Sequence, residues 1–344
     1  MRKISRLIVL CSIIGVVIFC GLNVLNADEQ QVHKKKYKIA YVMEKNIWIM
    51  NDDGSEKKQI TKTNDVSILW GWSDDNKKLL YGTGKTEIDP GGNLIKGYKL
   101  WILKIDESSV IRIAEGFEVW NAKYINDNTI FFENKDESIW EVNINANQPE
   151  KLLGSTFLMP ELSPDKKKMV CLEIPIIDVD YDLDDPVPPN KIYICDVKGV
   201  SKKLLYNDHK IMHPQWLTND TIIFSKAIFK GEYDFIKNEL FSINVYTKTK
   251  QSLVIKNFLP NHGTISPGLD KIAANWMGKG LGVGNLKTKI GKKIINNLVE
   301  EFIWSFDNER IVYISDKGEI WIIDWEGKNP KKLADKGKYP YCSK

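Results

Sequence analysis

Apolar and polar positions alternate in short bursts along most of this chain, and the pattern is clearest from Ile39 to Ser73. There Ile39-Ala40-Tyr41-Val42, Ile47-Trp48-Ile49-Met50, a basic run ending Gln59-Ile60-Thr61, and Ile68-Leu69-Trp70-Gly71-Trp72-Ser73 follow one another, split by polar links and the turn Asp52-Asp53-Gly54. Short runs rich in β-branched and aromatic residues, bounded by Gly, Asp and Asn, are strand signals separated by turn signals.

The first of these runs returns as Leu79-Leu80-Tyr81, Ile130-Phe131-Phe132, Met169-Val170-Cys171, Ile222-Ile223-Phe224, Ile272-Ala273-Ala274 and Ile311-Val312-Tyr313, seven copies at intervals of 39 to 53 residues. A period of this size fits a blade of four strands. The next run returns as an aliphatic followed by a large aromatic residue, in Ile47-Trp48, Leu100-Trp101, Ile139-Trp140, Ile192-Tyr193, Leu240-Phe241 and Ile320-Trp321, which predicts a layer of aromatics between blades. The sixth copy departs from this rule. Gly280, Gly282 and Gly284 leave one face of its strand bare, which predicts close approach of a neighbouring blade. The Gly-x-Gly-x-x-Gly spacing of a nucleotide loop is absent.

The run before each repeated strand ends in an apolar residue and Ser ahead of a turn: Trp72-Ser73-Asp74-Asp75, Leu162-Ser163-Pro164-Asp165, Ile265-Ser266-Pro267-Gly268 and Trp304-Ser305-Phe306-Asp307. Tyr124-Ile125-Asn126-Asp127 and Trp216-Leu217-Thr218-Asn219 are degenerate versions. With the apolar strand after it, the Ile-Trp strand and the Asp-Gly turn, this unit resembles the TolB-type, WD-like propeller repeat over nearly everything after Tyr37. The resemblance implies an all-β β-propeller over residues 37–344, export and protein-binding work. The copy number predicts seven blades, with six, as in familiar TolB propellers, as the alternative. The chain ends in Tyr339-Pro340-Tyr341-Cys342-Ser343, which matches a first strand cut off before its turn, as in Met159-Pro160-Glu161-Leu162-Ser163 and His213-Pro214-Gln215-Trp216-Leu217. The C-terminal strand is therefore expected to join the N-terminal blade and seal the ring without leaving an edge.

Residues 1–27 have the plan of a signal peptide, with Arg2, Lys3 and Arg6 ahead of an apolar stretch and Ala27 as the cleavage end. The stretch over residues 7–25 is also about as long as a membrane span, so an uncleaved anchor is the alternative. Lipidation at Val17-Ile18-Phe19-Cys20 ranks third, because Phe19 stands where a small residue is wanted. Residues 28–36 read as a polar tether. The expected location is extracytoplasmic, in the periplasm, at the cell surface or secreted, with membrane contact only through the N-terminal segment.

The 344-residue chain has a formal net charge of +4, and three of those charges are Arg2, Lys3 and Arg6, so the remainder carries +1. Near neutrality provides no general field for nucleic acid. Beyond the apolar segment the cysteines are Cys171, Cys195 and Cys342, an odd number that is no disulfide framework. They read as small buried core residues, with diagonal pairing of Cys171 and Cys195 as the alternative in an oxidising compartment.

Candidate chemistry follows from the register. Three insertions, at residues 84–98, 175–190 and 227–237, leave the repeat on the face where the innermost strands begin, and loops gathered on a rigid scaffold are where binding resides. Three residues before each apolar-Ser position stand Leu69, Asn121, Met159, His213, His262, Glu301 and Tyr339. His213, His262 and Glu301 thus fall at equivalent sites in three consecutive blades near the channel mouth. Imidazole and carboxylate there can hold a transition metal, with Gln215 as a further oxygen donor, or can simply line a wetted entrance. His213-Pro214-Gln215 resembles a segment of oligogalacturonate lyases, and that resemblance implies a histidine-bound manganese that acidifies the C5 proton of a uronic acid for β-elimination.

In the second insertion Asp178, Asp180, Asp182, Asp184 and Asp185 offer oxygen ligands to calcium, but the EF-hand spacing is missing and Pro186, Pro188 and Pro189 follow, so a solvated acidic loop is preferred. Tyr181, with Tyr233 and Phe235 of the third insertion, can form a patch for peptide or glycan. The Gly-x-Ser-x-Gly elbow of a prolyl-oligopeptidase-like enzyme is absent. The expected function is a non-catalytic protein- or ligand-binding module of the cell envelope, with a protein or envelope polymer as partner and no cofactor. The alternative is a metal-dependent polysaccharide lyase.

Overall fold

The structure, a computed structural model, describes residues 36–344 except 85, 89–93, 159, 176–187, 231–233, 259 and 277–279. The expectations for residues 1–35 lie outside the described residues. Those from Tyr37 onward form seven four-stranded antiparallel sheets and one two-stranded ribbon. The sheets are the blades of a propeller, so the count of seven holds and the six-bladed alternative does not.

Six blades take their strands in chain order, with innermost strands Val66–Trp72, Val119–Asn126, Glu161–Leu162, Ile211–Trp216, Pro260–Ile265 and Val299–Trp304 in blades 2 to 7. Blade 1 is built from both ends of the folded region. Lys38–Met43, Asn46–Asn51 and Lys58–Gln59 receive the C-terminal strand Lys338–Cys342 as their innermost member, with Ile39 opposite Cys342 and Ala40 opposite Tyr341. The ring closes as the truncated final repeat predicts.

The burial pattern explains the sequence pattern. The second strand of each blade is covered on both faces by neighbouring blades, so Lys78–Thr83 and Arg310–Ser315 read as continuous apolar runs and are buried almost throughout. Outer strands such as Lys202–Asp208 are largely exposed and polar. The core is divided into seven apolar clusters, each at the junction of two adjacent blades. The repeated aromatics Trp48, Trp101, Trp140, Tyr193, Phe241 and Trp321 each pack half-buried against one cluster, forming the expected layer.

Tryptophan at the Trp-Ser position has a role that hydrophobicity alone does not reveal. Trp72, Trp216 and Trp304 each donate the indole N–H to a backbone carbonyl of the preceding blade's innermost strand, Tyr341, Glu161 and Thr264 respectively, each at 3.0 Å. One such bond contributes about 1 kcal/mol and also fixes the angle between blades.

In blade 6 the bare face is filled from two directions. A side chain at Gly282 would meet the Trp276 ring at 2.4 Å, and one at Gly291 would meet Phe258 Cβ at 2.6 Å. Phe258 and Ile255, in the connection leaving blade 5, also cover Gly284, so the neighbouring blade does approach closely. Trp276 belongs to blade 6 itself, on the adjacent strand Lys271–Trp276, and adds a source of cover that the glycine pattern does not announce.

Candidate functional site

The innermost strands line an axial hollow, and their sequence creates local distortions at its mouth. Among the described non-glycine residues, His213 and Tyr339 are the two with positive φ inside strands, at 55° and 53°. Both precede proline, and both sit where the pairing with the next strand slips register, between Met212 and Gln215 in blade 5 and between Ala40 and Val42 in blade 1. A positive φ strains a side-chain-bearing residue. Both residues line a cavity of ≈ 500 Å³ together with Gln215, Glu300, Glu301 and Tyr341. A second hollow of ≈ 770 Å³ shares His213, Gln215, Thr264 and Ile303 and extends to Ser266 and Pro267 at the turns on the opposite face.

Two polar side chains at the mouth, Gln215 and Glu301, are engaged with backbone. Gln215 spans the junction of blades 5 and 6: its amide nitrogen donates to the Gly263 carbonyl at 2.6 Å and its oxygen accepts from the Ile265 N–H at 3.1 Å. The oxygen offered from sequence as a metal donor thus accepts one hydrogen bond from strand 260–265. Glu301 spans the junction of blades 7 and 1, where its carboxylate accepts from the Tyr339 N–H at 2.9 Å. Burial raises the Glu301 carboxyl above its ordinary value against the opposing effect of that hydrogen bond. Burial likewise raises Tyr339 and pushes Tyr341 up to about 12, so both remain neutral phenols at physiological pH. On the far wall Lys123 of blade 3 pairs with Glu161 of blade 4 at 3.2 Å.

The structure thus brings His213, Gln215 and Glu301 to one hollow. His262 is placed in the facing strand Pro260–Ile265, but its side chain lies outside the described set. Asp178, Asp180, Tyr181, Asp182 and Tyr233 also lie outside the described residues. Among the described residues, no three His, Cys, Asp or Glu side chains gather as a metal-ligand group. Sequence reasoning missed Tyr341 and the Lys123–Glu161 pair. Tyr341 follows Tyr339 on the same strand across the register slip, so strand alternation alone does not announce that it shares the hollow.

The described ends of the insertions lie on the face where the innermost strands begin. The Tyr98 and Val119 backbones exchange hydrogen bonds at the first, and Leu158 N–H donates to Leu172 O beside the second. The first contains the ribbon Thr86–Ile88 with Leu94–Lys96, and the third continues strands Thr221–Lys230 and Asp234–Asn244 beyond the ring as a hairpin. At the hairpin's base a rim hollow of ≈ 560 Å³ is lined by Pro188, His209, Lys226, Ile228 and Phe229 among others.

No protein-family model matches the chain, and no curated protein matches it. Solved structures do. The chain is similar to TolB from Acinetobacter baumannii at 16% identity and a TM-score of 0.50, over 89% of its own length and 66% of the TolB chain. It is similar to an oligogalacturonate lyase from Vibrio parahaemolyticus at 13% identity and a TM-score of 0.61, over 87% of this chain and 84% of that one. The tricorn protease matches at 12% identity and a TM-score of 0.60, over 89% of this chain but 34% of its own. At such identities the likeness establishes the fold, a TolB-like β-propeller, and leaves the activity to the site.

Proposed function

We propose that this protein is an exported, non-catalytic propeller that binds a protein or envelope polymer on the face carrying its three insertions. The observation that carries the reading is the use made of the polar groups at the channel mouth. Gln215 and Glu301, the side chains best placed to serve a reaction, hold the backbone of the next blade. Their cost of removal is structural, which suits a rigid platform. Around them, the rim hollow, the hairpin and the exposed Phe235 and Ile236, 44% and 45% accessible, offer apolar contact area above that platform. The export expectation from residues 1–27 supplies the compartment, and the similarity to TolB is consistent with it.

Binding on this face predicts that capture of a partner from an envelope extract by the immobilised protein falls at least about tenfold when Phe235 and Ile236 are both changed to Ser, since each buried apolar side chain contributes on the order of 1.5 kcal/mol or more. Unchanged capture would remove this face as the interface. The enzymatic alternative is tested on oligogalacturonate with and without added manganese. Release of unsaturated product by the parent protein, abolished in His213→Ala, would overturn the non-catalytic reading.

A further inference from the structure

Two of the three cysteines among the described residues lie side by side in blade 4. Cys171 is on Lys168–Glu173 and Cys195 on Asn190–Asp196, and the register sets Cys171 opposite Tyr193 and Cys195 opposite Met169. The thiols therefore occupy a diagonal of one sheet face, since residues two apart on a strand point the same way. Their Sγ atoms are 2.9 Å apart, less than about 1 Å beyond the covalent S–S separation of about 2.05 Å. Both residues are buried, at 0% and 1% accessible, in the cluster between blades 3 and 4. The strands that carry them are also the two stems of the second insertion.

We propose that Cys171 and Cys195 form an intrablade disulfide that staples the stems of the 175–190 insertion as blade 4 folds. Either thiol can begin the exchange. With Cys195 first, its thiolate attacks a low-molecular-weight or protein disulfide, forming a mixed disulfide and releasing one thiolate. Cys171 then loses its proton and attacks Cys195 Sγ, so the Cys171–Cys195 bond forms and the mixed disulfide breaks. Two electrons and two protons pass from the two thiols to the two sulfurs of the exchanging disulfide. Because neither sulfur is accessible in the finished blade, exchange takes place while blade 4 is open, and later reductants cannot reach the bond.

The inference draws on the export reading only for the oxidant, and the experiment separates the two. The full chain is refolded from denaturant with oxidised and reduced glutathione, alkylated under denaturing conditions, digested and weighed. A covalently joined pair of peptides carrying Cys171 and Cys195, two hydrogens lighter than the separate thiols, is expected, with Cys342 alkylated. The bond should raise the melting temperature by about 5 °C over protein refolded reduced, a rise absent in Cys171→Ser and Cys195→Ser but kept in Cys342→Ser. Alkylation of Cys171 and Cys195 after oxidative refolding, or a link from either to Cys342, overturns the pairing. A bond made in vitro yet missing from protein expressed with residues 1–27 intact would leave the pairing standing and count against export.

Discussion

Two blade junctions solve one mechanical problem with different chemistry. Where blade 5 meets blade 6, the chain runs on without interruption, and the neutral amide of Gln215 satisfies one carbonyl and one N–H of the next strand. Where blade 7 meets blade 1, the chain also runs on, into strand 338–342, but that strand has to pair with strands from the other end of the sequence, and the bridging groups are charged. Glu301 holds Tyr339, and Arg310 reaches from blade 7 to Asp52 of blade 1 at 2.7 Å while also binding Asp307 at 2.8 Å. Ser343 and Lys344 add bonds to Lys38 and Asn76. The difference teaches that the blade assembled from both ends of the chain, whose break lies between 338–342 and 38–43, is tied to its neighbour by directional, charge-assisted bonds, which define register as well as affinity.

The largest test of that view removes the recruited strand. Truncation after Lys338 deletes the Tyr339 N–H that Glu301 holds, the Tyr341 carbonyl that Trp72 holds and most of the pairing with Lys38–Met43. It also exposes the edge of Lys38–Met43, whose Ile39, Ala40 and Tyr41 are fully buried in the intact ring. Loss of the cooperative unfolding transition and concentration-dependent aggregation are expected. A melting curve like that of the full chain would show that the ring does not depend on its closure.

Much of this was legible beforehand because repetition is a strong signal. Seven copies of one apolar run gave the blades, and the truncated seventh first strand gave the closure. What the sequence could not show were side chains whose partners lie in another blade. Gln215 has the composition of a metal-site donor, and only the register of strand 260–265 beside it reveals an amide occupied on both sides. Arg310, Asp307 and Asp52 look like ordinary turn residues, since they are 258 residues apart at the extreme. The indoles of Trp72, Trp216 and Trp304 read as core, and their donated bonds need the neighbouring blade to be seen.

A middle-sized effect is expected from Arg310→Met. The guanidinium and both carboxylates are about nine-tenths buried, and the Arg310 face also lies 5.0 Å from the Tyr37 ring. Removing the cation leaves Asp52 and Asp307 uncompensated, which costs about 3–5 kcal/mol near neutral pH. Burial pushes Asp307 up, but the bonds from Ser305, Glu309 and Arg310 outweigh it and hold its carboxyl below the ordinary range. A depressed carboxyl contributes stability above its unfolded value that is lost as pH falls through its folded value. The penalty of the variant should therefore shrink in acid, as both proteins lose that contribution. Denaturant titrations at neutral and acidic pH that differ from the parent by less than about 1 kcal/mol would remove the charged seam from the account.

The smallest and sharpest test exchanges the chemistry of the two junctions. In Glu301→Gln the amide oxygen still accepts from Tyr339 N–H, and the half-buried charge is gone. Because burial raises the Glu301 carboxyl, the parent protein binds that proton more tightly folded than unfolded. Its contribution to stability is full below the unfolded carboxyl value and is lost as pH rises through the raised one. The variant should match the parent in acid and gain about 0.5 kcal/mol above that range, a figure kept low because the group is partly screened by water. The reciprocal change, Gln215→Glu, should lose about 1–3 kcal/mol at neutral pH, since it removes the donor to Gly263 O and sets a carboxylate against that carbonyl. This loss should ease in acid, where a protonated carboxyl can donate again. If Glu301→Gln instead weakens the protein at every pH, the charge is itself part of the clamp on Tyr339, and the seam is electrostatic down to its innermost strand.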